Sequence, residues 1–173
     1  MRDVYSAKLS RLSDEVLEMG NLCSQAIMKT CQILASVEVR EAATKDIAKL
    51  EKDIDDKEHN IEALFMQLLL KQQPFVTDLR KISAALKMVT DMERIGDQAT
   101  DIAEIMNTGS VHVPVTAIPL QEMADHAMHM VNDSVTAYVE GKSDMAKKVI
   151  DSDDILDNLF DKIRKALDMN RMG

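Results

Sequence analysis

The stretch "DMERIGDQATDIAE", Asp91–Glu104, carries two patterns at once. Advance about 100° per residue, as in an α-helix, with Met92 as zero. Ile95, Gly96, Ala99, Ile102, Ala103 and Met106 then fall within about 80° of it, as a core stripe. Glu93, Glu104, Asp97 and Asp101 fall at about 100°, 120°, 140° and 180° on one flank of that stripe. Glu93, Asp97 and Asp101 stack one carboxylate on each turn. Like charges at i, i+4 repel by a few tenths of a kcal/mol per pair. Arg94, at about 200°, relieves only one edge. Such a row is poor helix design unless something cationic compensates it.

The same periodicity extends outward. Leu79, Ile82, Leu86 and Val89 continue the stripe backwards. Ile47, Leu50, Ile54, Ile61, Leu64 and Leu68 form another. Beside it Glu51, Asp55, Glu58 and Glu62 follow i, i+4, i+7, i+11, about 40–100° from Ile54. Punctuation is sparse: five Gly and three Pro in 173 residues, with aromatics at 3%. That composition predicts an all-α protein. Helices are expected at 4–36, 40–71, 77–106, 119–140 and 144–169. Pro74 ends the second, Thr77 or Asp78 caps the third, and Gly141 stops the fourth with Ser143 as the next cap. Short connections make neighbours antiparallel, so the first three helices read as an elongated three-helix bundle. "NTGSVHVPVTAIP" (107–119) is the one real linker.

An internal repeat is also legible. "LEMGNLCSQAIMKTCQIL…IAKLEKDIDDKEHNIEAL" resembles "LQEMADHAMHMVNDSVTAY…AKKVIDSDDILDNLFDKI". Ile54-Asp55 then corresponds to Leu156-Asp157, and Glu51 to Asp153. The second copy has no third helix in this sequence. Its two helices require a covering partner: the first three helices, a second subunit, or a further segment.

The net charge of −9 argues against nucleic-acid binding, which needs a basic face. No apolar run approaches the ~20 residues of a membrane span, and no signal peptide is visible at the start. Cys23 and Cys31 are about 12 Å apart along one helix, too far for a bridge, and are expected as buried free thiols. These features fit a cytoplasmic protein without membrane insertion. The histidines form no convincing site: His126 and His129 read as surface residues. No phosphate-binding glycine loop or nucleophilic triad is present, so an enzyme is not expected.

Two acidic rows on neighbouring helices suit hard cations such as Mg²⁺, Ca²⁺, Mn²⁺ or iron. On spacing alone, a solvated acidic rim stands ahead of that reading. Gly96, on the core stripe, points to close approach of another helix. Asp153, Asp157 and Asp161 are a weaker counterpart on the fifth helix.

The segment "PFVTDLRKISAALKMVTDMERIGDQATDIAE" (74–104) resembles the third helix of the first repeat in PhoU proteins, phosphate-transport accessory regulators of bacteria and archaea. The upstream Met19-Gly20, "DIDDKEHNIEAL" and the later half-repeat extend the resemblance over nearly the whole chain. It implies tandem three-helix bundles: the first complete (1–107), then a linker (108–118), then a second repeat (119–173) with only two helices. That leaves a truncated form or a shortened variant as the expectation. It implies metal binding at Glu93 and Asp97, continued by Asp101, with Asp55, Glu58 and Glu62 as the opposite wall. The metal would be iron, zinc, manganese or magnesium. It further implies negative regulation of the phosphate regulon, through contact with the importer ATPase and the sensor kinase, and a homodimer. With the resemblance, the metal site moves ahead of the solvated rim. A metal-free helical adaptor is the alternative.

Overall fold

The computed structural model describes residues 2–71, 76–109 and 119–171. Five helices run in chain order: α1 (Arg2–Ala35), α2 (Arg40–Lys71), α3 (Val76–Asn107), α4 (Leu120–Glu140) and α5 (Ser143–Arg171). Each lies within two residues of its sequence-based expectation. Pro74, the Thr77 side chain and most of the linker fall outside the described residues. Among the described residues no helix is long and apolar enough to cross a membrane.

α1, α2 and α3 pack against one another, α4 packs on α1, and α5 lies chiefly against α4. The core follows the apolar steps. Leu12, Val16, Met19, Cys23 and Ile33 of α1 meet Ile47, Ile54, Ile61 and Leu68 of α2 and Ile82, Val89, Met92 and Met106 of α3. Fully burying one such side chain stabilises by about 1.5–3 kcal/mol, so these repeated steps hold the three long helices together. Leu79 departs from the expected stripe and is 40% exposed, because it lies in the first turn of α3, at the edge of the packed region.

Two glycines let helices approach. A β-carbon at Gly96 of α3 would lie 3.2 Å from Cδ1 of Ile54 on α2, as the core position of Gly96 suggested. At Gly20 of α1 it would lie 2.8 Å from Cγ2 of Val135 on α4. The α4–α5 turn is set by Gly141 at φ 67. Its N–H reaches Tyr138 O at 3.2 Å, and the Lys142 N–H reaches Ala137 O at 2.8 Å. These bonds satisfy the last carbonyls of α4. Ser143 is already the first residue of α5 rather than its cap: the Lys142 carbonyl accepts the Ala146 N–H, which puts Lys142 at the cap position.

Both cysteines are buried and free. The Cys23 thiol donates to Met92 O at 3.3 Å, and burial pushes its pKa up to about 12. His126 is a correction to the surface reading. It is half-buried, and its Nε2 donates to the Ser152 carbonyl at 3.0 Å, tying α4 to α5. His129 is exposed.

Candidate functional site: the acidic face of α2 and α3

Gly96 and Ile54 carry the acidic rows with them. Glu93 and Asp97 sit within one turn of Gly96; Glu51, Asp55 and Glu58 sit within about one turn of Ile54. Glu51, Asp55, Glu58 and Glu93 are half-buried, while Glu62, Asp97 and Asp101 are exposed.

The electrostatics show that the rows face each other. The Glu93 carboxyl is raised above its ordinary pKa, first by burial, then by Asp97 on its own helix and by Glu58 and Asp55 across the interface. Glu58 is raised by burial, then by Glu62, with Asp55 and Asp97 adding and His59 opposing. Glu51 is raised by burial, then by Asp55 and Asp97. Asp55, Glu58, Glu93 and Asp97 are therefore brought together, with Glu51 and Glu62 at the ends. Asp101 does not figure among the charges acting on these three glutamates.

Two nearby basic residues are engaged elsewhere, while the exposed His59 acts on Glu58 from the same helix. Arg94 pairs with Asp91 at 3.6 Å on the exposed side. Lys57 turns to α1, where it pairs with Glu15 at 2.7 Å and with Glu18. Thr100, three residues beyond Asp97, has a buried hydroxyl with no partner. In projection it lies at about 80°, on the same flank as Glu93.

Among the described residues, no three His, Cys, Asp or Glu side chains stand in a metal-coordinating arrangement. The donor chemistry is nevertheless of the kind a hard cation takes: oxygen ligands only, mutually repelling, with Asp55, Glu58 and Glu93 half-buried. A cation there would relieve the like-charge repulsion that adds to burial in raising Glu58 and Glu93. Asp55, Glu58, Glu93 and Asp97 are the residues that would hold it.

The fifth-helix candidates are not joined to this face. Asp153 and Asp157 are exposed, and Asp161 pairs with Arg164 at 3.0 Å. α5 lies chiefly on α4, so no second acidic wall opposes them.

An apolar groove of about 690 Å³ lies between α1, α3 and α4, bordered by Leu156 of α5. Ile27, Leu34, Ile95, Ile102, Met123 and Met130 line it. Sequence reasoning did not find it. The available signal was the breadth of the α3 stripe, whose Ile95 and Ile102 edge is only partly covered.

The PhoU domain model matches residues 16–106 and 120–172. A phosphate-specific transport system accessory protein PhoU homolog from Clostridium acetobutylicum is 34% identical over 165 residues, spanning 94% of this chain and 74% of that protein. A protein of the same description from Aquifex aeolicus is 32% identical over 161 residues, spanning 92% of this chain and 72% of its own. The crystal structure of PhoU from Pseudomonas aeruginosa superposes with a TM-score of 0.84 at 23% identity, covering 97% of this chain and 80% of that one, and so shares the fold. Most of the chain, the acidic face included, lies within these matches, and the chain belongs to the PhoU family.

Proposed function

We propose that this chain is a non-enzymatic accessory regulator of phosphate-specific transport. The family match over residues 16–106 and 120–172 carries the reading, supported by the names of the relatives. In this reading it acts in the cytoplasm as a negative regulator of the phosphate regulon, by contacting the importer ATPase and the sensor kinase. The net charge of −9 suits basic surfaces on such partners. α1–α3 serve as one complete three-helix bundle, and α4–α5 as two helices of a second. Self-association through α4 and α5 would cover the exposed Ile155 and Phe160 of α5. Co-purification with the importer ATPase tests the partner half. A persistent failure to recover it, with folded protein, counts against the proposal.

In the same reading the face between α2 and α3 binds a metal ion through Asp55, Glu58, Glu93 and Asp97, with Glu62 and Asp101 at its edges. The support is the convergence of both rows, with no Lys or Arg among the described residues acting on Glu51, Glu58 or Glu93. Elemental analysis of purified protein tests it: metal above trace is expected, and its loss on Glu93→Ala with Asp97→Ala. No metal in either protein would sink this half.

One observation favours a second reading. Among the described residues no three of these carboxylates close around a point. A metal-free helical adaptor accounts for that, with the acids as solvated rim. It predicts that neutralising Glu93, Asp97 and Asp101 together raises thermal stability and that added Mn²⁺ changes nothing.

A further inference from the structure

We propose that the apolar groove between α1, α3 and α4, with α5 as its outer rim, is the docking site for an amphipathic helix with a basic flank, carried by a partner protein. The inference rests on the partner-contact reading above and names the surface and the chemistry of that contact. The acidic face of α2 and α3 takes no part in it.

The groove extends beyond its main section. A second section of about 210 Å³ shares Asp91, Ile95, Met130 and Val131 with it and reaches Met88 of α3 and Val149 of α5. From Met88 to Ile102 the two sections run about 21 Å along α3, the length of a four-turn helix. Among the described residues lining them, Asp91 and Arg94 alone are charged, and these pair with each other at 3.6 Å. Met88, Met123 and Met130 give the walls side chains that adapt to an irregular apolar surface. An apolar helix face laid lengthwise fits such a trough.

The charge lies at the rim. Take Leu156, which borders the groove, as zero on α5. Val149, which borders the second section, falls at about 20°, and the buried Leu159 and Ile163 fall at about −60° and −20°. The α4-packed centre of α5 is thus at negative angles and its groove edge at positive ones. On that edge Asp153 falls at about 60° and Asp157 at about 100°, and both are exposed. Arg164, further along the same side, is held by Asp161 at 3.0 Å. α4 itself carries no Lys or Arg. An apolar trough with an acidic edge calls for apolar side chains flanked by bases. A second copy docked groove to groove about a twofold axis would set acidic edge against acidic edge.

The test titrates the full chain into a fluorescein-labelled helical peptide of about 15 residues, with Leu at i, i+3, i+4, i+7 and i+11 and Lys along one flank. Binding is expected by fluorescence anisotropy, weakening as salt rises, with the methyl NMR signals of Met88, Met123 and Met130 shifting. Replacing the peptide's Lys by Glu is expected to weaken it by about tenfold or more. Asp153→Asn with Asp157→Asn is expected to weaken the Lys peptide about fivefold. Asp14→Asn with Asp144→Asn removes the same charge from exposed positions that do not line the groove, and is expected to change little. Circular dichroism checks the fold of each variant. No binding of the Lys peptide, equal binding of the Glu peptide, or equal losses from the two Asn pairs would overturn the proposal. So would affinity that fades as protein concentration rises, which would show a second copy filling the groove. Peptides from the part of the Clostridium acetobutylicum relative outside the match serve as competitors; tighter binding by one of them, whatever its charge, would make the groove a packing site for a further helix and overturn the proposal. Importer ATPase recovered equally by wild type and by Asp153→Asn with Asp157→Asn would overturn the groove alone. A Lys peptide that binds as expected while no importer ATPase is recovered would uphold the groove and count against the regulatory reading.

Discussion

Gly20 of α1 meets Val135 of α4 at a distance that excludes one further carbon: a β-carbon there would lie 2.8 Å from Cγ2. Val135 is buried at the α1–α4 interface, the main link between α1–α3 and the α4–α5 pair. Alanine in a helix interior gains about 1 kcal/mol over glycine. Overpacking a filled site costs about 1–3 kcal/mol. Gly20→Ala is therefore expected to lower the melting temperature, and Val135→Ala in the same chain to recover part of the loss. A melting temperature above wild type for Gly20→Ala would show that α4 moves away freely.

Lys57 joins α2 to α1 by pairing with Glu15 and Glu18, and these carboxylates raise its pKa. Its contribution is present below the ordinary lysine value of about 10.4 and is lost as pH climbs through the raised folded value. Lys57→Ala is expected to destabilise by about 1 kcal/mol, leaving Arg11, 3.6 Å from Glu15, as a partial substitute. Urea unfolding at low and high salt measures it, with the difference shrinking at high salt.

The acidic face makes metal-free protein sensitive to pH. A carboxyl with a folded pKa above its unfolded one binds its proton more tightly in the folded state, so ionising it costs stability. For Glu51, Glu58 and Glu93 that cost is absent below the ordinary glutamate value of about 4.3. It grows as pH rises through the raised folded values and is full above them. Glu93→Gln is expected to raise the melting temperature at pH 7 in the presence of chelator. The gain over wild type vanishes as pH falls towards 4. A gain that persists unchanged at low pH would mean that charge is not its cause.

α5 rests chiefly on α4 and keeps Ile150, Ile155 and Phe160 exposed, whereas α1 contacts three helices. Local opening follows such differences in packing. Hydrogen exchange is expected to be faster at central α5 amides than at those of α1 in the isolated chain. His126→Ala, which removes the bond to Ser152 O, should accelerate α5 exchange further without affecting α3. Equal protection of α1 and α5 at low protein concentration would contradict this.

Much of the architecture is written in local pattern. The apolar steps of Ile47 to Leu68 and Ile82 to Met106 specify two long helices and their buried faces, because helical periodicity depends only on neighbours three and four residues away. The same arithmetic puts Glu93 beside Asp97 and Asp55 beside Glu58. It does not say that these rows meet, since that depends on how α2 and α3 are rotated about their own axes. Packing decides it: Ile54 enters the space Gly96 leaves, and the four acids turn towards one another while Asp101 stays outside. Gly20 against Val135, Lys57 between two α1 glutamates, and His126 on a carbonyl of α5 are likewise long-range facts. Helix identity and polarity of face are properties of consecutive residues. Their partners are chosen only when volumes from distant segments compete for the same space.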